Sequence, residues 1–188
     1  GYDAQTGWGQ HVKTFKVKPD GSSIVEIGDL VHDTYYSVQN QVSMIRVDHD
    51  TYAIAYYGYN QPTDNSWGGY IKTFTVNGGN ITEVAKLKHF TSTVYDNSFI
   101  KVDGNTFALA WSDNSYDGNI TTFTISNDGA TITEVASLEH ETVYGLYNSI
   151  SKVDSDTYVL AYNGIDLDGF IKTFTIAADG STITQVAS

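Results

Sequence analysis

"NSISKVDSDTYVLAYNGIDLDGFIKTFTIAADGSTITQVAS" (148–188) resolves into four strand-like runs joined by three short links. The runs are 148–154, 157–163, 169–176 and 181–188, denoted a, b, c and d. Each is rich in β-branched and aromatic residues, and none has the apolar spacing of a helix. A tight polar turn joins a to b. The c–d link carries Asp179-Gly180, where glycine supplies the positive φ that a hairpin turn needs. The b–c link is also short and closes at Gly169. Three short links in succession predict an up-and-down antiparallel meander of four strands.

The same order of landmarks recurs upstream. Thr-Phe pairs stand at Thr14-Phe15, Thr73-Phe74, Thr122-Phe123 and Thr173-Phe174, and Val-Asp pairs at Val47-Asp48, Val102-Asp103 and Val153-Asp154. The apolar pair that closes strand b recurs as Ala55-Tyr56, Ala110-Trp111 and Ala161-Tyr162. His32, His89 and His140 are each followed eight residues later by an asparagine, Asn40, Asn97 or Asn148. A repeat of roughly fifty residues is the dominant signal in the chain.

A four-stranded sheet repeated at that period predicts an all-β protein, a β-propeller of four-stranded antiparallel blades. Face patterning agrees: strand b sets Tyr158, Leu160 and Tyr162 on one face and Val159 and Ala161 on the other. Strand c sets Phe170, Phe174 and Ile176 opposite Ile171. Apolar residues on both faces suit a sheet sandwiched between neighbours better than one with a wet face. The rival architectures are a β-solenoid and a pair of small β-sandwiches. The landmarks imply a single propeller segment, with a half-blade over 1–31 and blades over about 40–88, 97–139 and 148–188. That is about three and a half blades, a partial ring, since closed propellers take four to eight.

The landmark order resembles that of WD-repeat propellers, in which a His precedes strand a and an Asp-Gly turn precedes strand c. The matches are His140 with Asp168-Gly169 and His89 with Asp117-Gly118; Gly68 stands where the partner of His32 would have its Asp. The resemblance implies a structural role for His32, His89, His140, Asp117 and Asp168, each His buried and bonded to a turn aspartate or to backbone. A residue used once per repeat at a fixed place serves the repeat more readily than catalysis. The competing reading is a general base or a metal ligand.

Composition narrows the partners. Ten basic against 22 acidic residues give a net charge of −12, which excludes nucleic acid and anionic membrane surfaces as natural ligands. No apolar run approaches the length of a membrane span, so no membrane insertion is expected. The chain has no Cys, which removes disulfides and thiolate metal sites and suits an extracellular or cell-surface protein.

Two loop groups invite a ligand. "NGIDLDG" (163–169) gathers Asn163, Asp166 and Asp168, and resembles the calcium loops of integrin-type propellers. A calcium site takes six to eight oxygens, and the acid that completes such loops is replaced nearby by Lys172. No cofactor is otherwise expected. The second group is aromatic and the least repetitive: "YGYNQPTDNSWGG" (57–69), its counterpart "GYDAQTGWGQ" (1–10), and the tyrosines of the crossovers. Tyr2, Trp8, Tyr36, Tyr59, Asn60, Trp67, Tyr95 and Tyr147 are the candidate ligand-binding residues, because exposed Tyr and Trp beside amides stack on sugar faces or anchor a protein partner.

"SNDGATIT" (126–133) resembles the Asp-box turn of sialidase propellers, with its Gly one place early and no Trp. No phosphate-binding loop or nucleophile motif is present. The expectation from sequence is therefore a non-enzymatic binding or scaffold module for a protein, with a glycan-binding propeller second. A hydrolase whose site needs further blades comes third. The partial ring also predicts self-association through the apolar faces of the terminal blades.

Overall fold

The structure is a computed structural model that describes residues 9–34, 42–60 and 65–188, without the side chain of Asn60. The described residues form fourteen strands in four antiparallel sheets. β1 (Gln10–Val17) and β2 (Ile24–Asp33) make a two-stranded sheet. β3 (Ser43–Arg46), β4 (Thr51–Asn60), β5 (Ser66–Asn77) and β6 (Asn80–Phe90) make the next. β7 (Tyr95–Asp103), β8 (Thr106–Ser112), β9 (Gly118–Ile125) and β10 (Ile132–Glu141) follow. The last sheet is β11 (Leu146–Lys152), β12 (Thr157–Asn163), β13 (Gly169–Ile176) and β14 (Ile183–Ala187).

Within every sheet the strands lie in chain order, the meander that the short links dictate. First strands contact first strands (β3 with β7, β7 with β11) and last strands contact last strands (β2 with β6, β6 with β10, β10 with β14). The sheets therefore fan out face to face about an axis near their first strands. This is a β-propeller of about three and a half blades whose ring is not closed.

Strand b explains how the faces fit. Ala53 and Ala55 of β4 turn to the next sheet and meet Phe107, Leu109 and Trp111 of β8. Ala108 and Ala110 of β8 in turn meet Tyr158, Leu160 and Tyr162 of β12. Each strand b thus offers a small face downstream and a large face upstream, and large fills small at native packing density.

The recurring Thr-Phe pair has a mechanical reason. The phenyl rings of Phe74, Phe123 and Phe174 are wholly buried in the three cores. The preceding threonine sits opposite a bulge in strand d, between Glu83 and Ala85 in one sheet and between Glu134 and Ala136 in the next. Ala85 N–H donates to Thr73 Oγ1 at 3.0 Å, and Thr73 Oγ1 donates to the Gly129 carbonyl of the following sheet at 2.7 Å. Thr122 repeats this with Ala136 N–H at 3.1 Å and the Gly180 carbonyl at 2.7 Å. One hydroxyl therefore repairs a bulge and pins the neighbouring sheet's c–d turn.

The innermost strands are tied in the same repeating way. Phe99 N–H donates to Ser43 Oγ at 2.9 Å, and Ile150 N–H to Ser98 Oγ at 3.1 Å. Lys101 Nζ donates to the Val47 carbonyl at 3.1 Å. Lys152 Nζ donates to the equivalent Val102 carbonyl. Serines of one blade thus satisfy edge N–H groups of the next, and lysines of the next satisfy carbonyls of the one before, which keeps the channel-side edges from pairing elsewhere.

Candidate functional site

The described b–c links and d–a crossovers lie at one end of the sheets, and the described aromatic residues singled out in the sequence gather there. The Tyr57 ring stacks on Trp67 at 5.2 Å, and Tyr59 meets Trp67 edge-on at 5.3 Å. From the same sheet, the Tyr57 hydroxyl accepts from Thr93 Oγ1 in the crossover to β7 at 3.4 Å. Tyr95 lies 5.5 Å from Tyr116, and Tyr116 stacks on Tyr144 at 5.8 Å. A row of aromatic faces runs from one blade's loop across the entrance of the next. Trp67, Tyr116 and Tyr144 each keep about two fifths of their surface open to solvent.

Beside this row the inner strands β7 and β11 open on a left-handed residue. Asp96 of β7 and its counterpart Tyr147 of β11 both have left-handed φ, 57° and 56°, a region that Asp enters readily and Tyr only at a cost. The Asp96 carboxylate is buried, and its Oδ2 accepts the Tyr147 N–H at 2.6 Å. The Tyr95 hydroxyl is pushed to a higher pKa by burial, with the nearby phenols of Tyr116 and Tyr57 and the Asp96 carboxylate adding to the effect. A buried carboxylate beside the Tyr95 phenol, at the border of the aromatic row, makes this the candidate site among the described residues. At the opposite end lies a crevice of about 330 Å³ lined by Asp103 and Asp179 and otherwise by small neutral residues.

Of the residues expected from sequence, Tyr59, Trp67 and Tyr95 lie in the row and Tyr147 on its border with Asp96. Tyr2, Trp8 and Tyr36 lie outside the described residues, as does the side chain of Asn60. Tyr57, Tyr116 and Asp96 were not singled out as site residues from sequence. The signal for Asp96 was its departure from the repeat, since its counterparts are Gln39 and Tyr147.

The histidines are packing residues with a different partner from the one expected. His32 and His140 are buried, and the ring nitrogens of His89 are shielded from solvent. Each ring stands edge-on to two aromatic residues of the following sheet. His32 lies 4.9 Å from Tyr56, His89 5.1 Å from Trp111 and His140 5.0 Å from Tyr162. Neither His89 nor His140 bonds Asp117, Asp168 or backbone, and ring packing takes the place of the expected bond. It is the glycine opening strand c that meets the ring: a Cβ on Gly69 would lie 2.7 Å from His89 Nε2, and one on Gly118 would enter the His140 ring.

Burial pushes His32 and His89 down to about 3, and for His32 the Lys72 ammonium adds to it. Burial and then Lys172 bring His140 down to about 4, against the opposing pull of Glu141 and Asn148. These imidazoles are neutral at physiological pH. Asn148 fastens the crossover, donating from Nδ2 to Ser112 Oγ at 2.9 Å and to the Gly145 carbonyl at 2.8 Å. Asp168 is exposed, and Asp117 belongs to the b–c turn, where its N–H donates to Asp113 Oδ1 at 3.0 Å. In the loop considered for calcium, Asp166 takes a left-handed φ of 61° and Gly164 N–H donates to the Asp168 carbonyl at 2.9 Å. Among the described residues no three His, Asp or Glu side chains come together as a metal-ligand set.

No protein-family model matches the chain, and neither does any curated protein sequence. Solved structures do. A Lactobacillus plantarum protein aligns over 93% of this chain and 49% of its own at a TM-score of 0.57 and 14% identity. The periplasmic gluconolactonase of Pseudomonas aeruginosa aligns over 92% of this chain and 52% of its own at a TM-score of 0.55 and 10% identity. The chain spans about half the length of both, and the likeness is one of fold. It corrects two expectations from sequence, that of a non-enzymatic binding or scaffold module and that of no enzyme. The fold here is one in which a gluconolactonase is built, and a missing sequence motif is a poor guide when a site is assembled from several blades. No helix among the described residues is long and apolar enough to cross a membrane.

Proposed function

We propose that this chain is part of a propeller hydrolase acting on a sugar-derived substrate, a cyclic sugar ester being the class that fits best. The observation that carries the reading is the buried Asp96 carboxylate beside the Tyr95 phenol and the aromatic row. Aromatic faces stack on the apolar face of a sugar ring, and Trp67 and Tyr116 are exposed enough to do so. The carboxylate serves as general base. It takes a proton from water as the oxygen attacks the ester carbonyl, and returns it to the ring oxygen when that C–O bond breaks, leaving an open-chain hydroxy acid. The gluconolactonase of the same fold supports this substrate class, and its periplasmic setting together with the absence of Cys supports an extracytoplasmic location.

The test is hydrolysis of a panel of aldonic acid lactones, followed by acid release. Asp96→Asn is expected to lower kcat by a hundredfold or more, the usual worth of a positioned base, roughly 10²–10⁴. Trp67→Ala is expected to raise KM by about tenfold with little change in kcat, the worth of one aromatic contact. Unchanged turnover in Asp96→Asn, or no turnover of any lactone by the wild-type chain, overturns the proposal.

A further inference from the structure

The end of the sheets that holds the aromatic row carries charge of one sign among the described residues of its loops. In sequence the b–c links (58–69, 112–118 and 163–169) and the crossovers (33–42, 90–97 and 141–148) contain eight Asp or Glu and no Lys, Arg or His. Nine of the ten cations stand instead on strands, and the tenth, Lys18, in the turn between β1 and β2.

The carboxylates are interleaved with the row itself. Tyr95 is followed by the buried Asp96. Tyr116, whose ring lies 5.5 Å from that of Tyr95, is followed by Asp117. The link that carries Asp117 is held to the next crossover by the Gly145 N–H, which donates to the Tyr116 carbonyl at 2.8 Å. That crossover begins at Glu141, whose Oε2 accepts the Tyr162 hydroxyl at 3.0 Å. The crowding of like charge is felt at Asp117: burial pushes its carboxyl up, and Asp113 and Glu141 add to the effect.

The cations that reach toward this end are already engaged within the sheets. Lys72 is buried, and its ammonium donates to the His32 carbonyl and to Glu83 Oε2, the latter at 2.9 Å. Lys172 donates likewise to the His140 carbonyl and to Glu141 Oε2, the latter at 3.4 Å. Lys88 donates to Ser66 Oγ and stands 5.6 Å from the centre of the Tyr70 ring.

Two charge classes of sugar lactone meet this field differently. A lactone with no ionised group enters without Coulomb cost, and stacking on Trp67 and Tyr116 holds it. A phosphomonoester brings a charge of about −1.5 to −2, and a site that accepts one offers it Arg, Lys or converging backbone N–H groups. Here it would meet Asp96 and Asp117, and like charges in a cleft of one sign cost affinity and slow arrival. The product meets the same field, because opening the ring leaves a carboxylate where the neutral ester stood. Resting on the lactone-hydrolase reading above, we propose that the site selects uncharged sugar lactones, rejects their phosphorylated and uronic counterparts, and expels its own acid product by charge.

The test compares an uncharged aldonic lactone with its 6-phosphate on the 188-residue chain. The uncharged lactone is expected to be favoured in kcat/KM by about tenfold or more at low salt. The preference should shrink severalfold at about 0.5 M salt, where charges are screened within about 4 Å. Asp117→Lys should narrow it by about fivefold and Asp117→Asn by about twofold. Both variants keep the backbone bonds of the turn, Asp117 N–H to Asp113 Oδ1 and Asp113 N–H to the Asp117 carbonyl, each at 3.0 Å. Calorimetry with the stable sugar lactam and its 6-phosphate reads binding apart from turnover. Equal or faster turnover of the phosphorylated lactone overturns the proposal and leaves the hydrolase reading standing. If no lactone is turned over, the hydrolase reading falls, while tighter binding of the uncharged lactam still supports selection by charge. Equal or absent binding of the two lactams then overturns that too. A preference that neither salt nor the two variants alter overturns it as well, since charge is then not its cause.

Discussion

The sheet β7–β10 and the sheet β11–β14 are written in almost the same residues and live in different surroundings. Val102 and Ile120 of the first are buried; Val153 and Ile171 of the second are each more than three fifths exposed. Thr122 is buried and pins the turn of its neighbour, whereas Thr173 holds the same position without one. Each covered interface also contains a histidine from strand d pressed on the aromatics of the next sheet. A repeat residue is thus a core residue only if a neighbour arrives. What differs is context, and context sets the energy of each substitution.

Acid should separate the two surroundings most strongly. The buried histidines have folded pKa values of about 3, 3 and 4, below the ordinary 6.5. The unfolded chain therefore binds more protons than the folded one between those limits. Stability is complete above about pH 6.5 and is lost as pH falls through 5 toward 4. The expected loss at pH 5 relative to pH 7 is on the order of 2 kcal/mol for each histidine, all of it at covered interfaces. Urea unfolding at the two pH values checks this, and His89→Leu should remove about a third of the difference.

The paired truncation Ile120→Ala and Ile171→Ala comes next. The first empties a filled position between two sheets and should cost about 2–5 kcal/mol, whereas the second removes atoms already in water and should stay within about 0.5 kcal/mol in the monomer. Equal losses in chemical denaturation would mean that the two faces are covered alike. Thr122→Val and Thr173→Val form a smaller pair. Thr122→Val strands the Gly180 carbonyl and the Ala136 N–H and should lose roughly 1–3 kcal/mol, against almost nothing for Thr173→Val in the monomer.

The smallest effect concerns how one position is solved twice. In β12 and β13 the Lys172 ammonium sits over the Tyr162 ring at 5.2 Å and donates to the His140 carbonyl. In β8 and β9 the same place holds Trp111, whose Nε1–H donates to Thr121 Oγ1 at 3.0 Å. Lys172→Thr alone should cost about 1 kcal/mol by leaving that carbonyl without its donor. Adding Tyr162→Trp should recover part of it, because the indole brings its own donor to the threonine. Thermal melts of the single and double variants give the coupling.

The order of strands, their antiparallel pairing and the propeller class were legible because they rest on local chemistry. Asp-Gly turns, short links and alternation within each strand act over a few residues, and the repeat multiplies the signal. The burial of the histidines was legible for the same reason, as a fixed place in a fixed repeat. Their partners were not: a ring at the end of strand d can face the turn aspartate or the next sheet's aromatics, and only packing decides. The glycines show the point, since Gly118 reads as a turn residue in sequence and in the fold makes room for His140.

The candidate site was half legible. Tyr59, Trp67, Tyr95 and Tyr147 stood out as aromatics in irregular loops, but the row that holds the first three also needs Tyr57, Tyr116 and Tyr144, brought together from separate parts of the chain. Asp96 looked like one more acidic residue until the left-handed backbone and the bond to Tyr147, fifty-one residues away, gave it a place. By itself the sequence determined the repeat, the blade and the two faces of every strand, because those follow from the period of the backbone and the chemistry of turns. Tertiary structure alone decided which faces are covered, which threonines are locked and where a carboxylate meets an aromatic shelf. Such contacts join residues a full repeat apart, and nothing in the local chain encodes whether the partner surface is there.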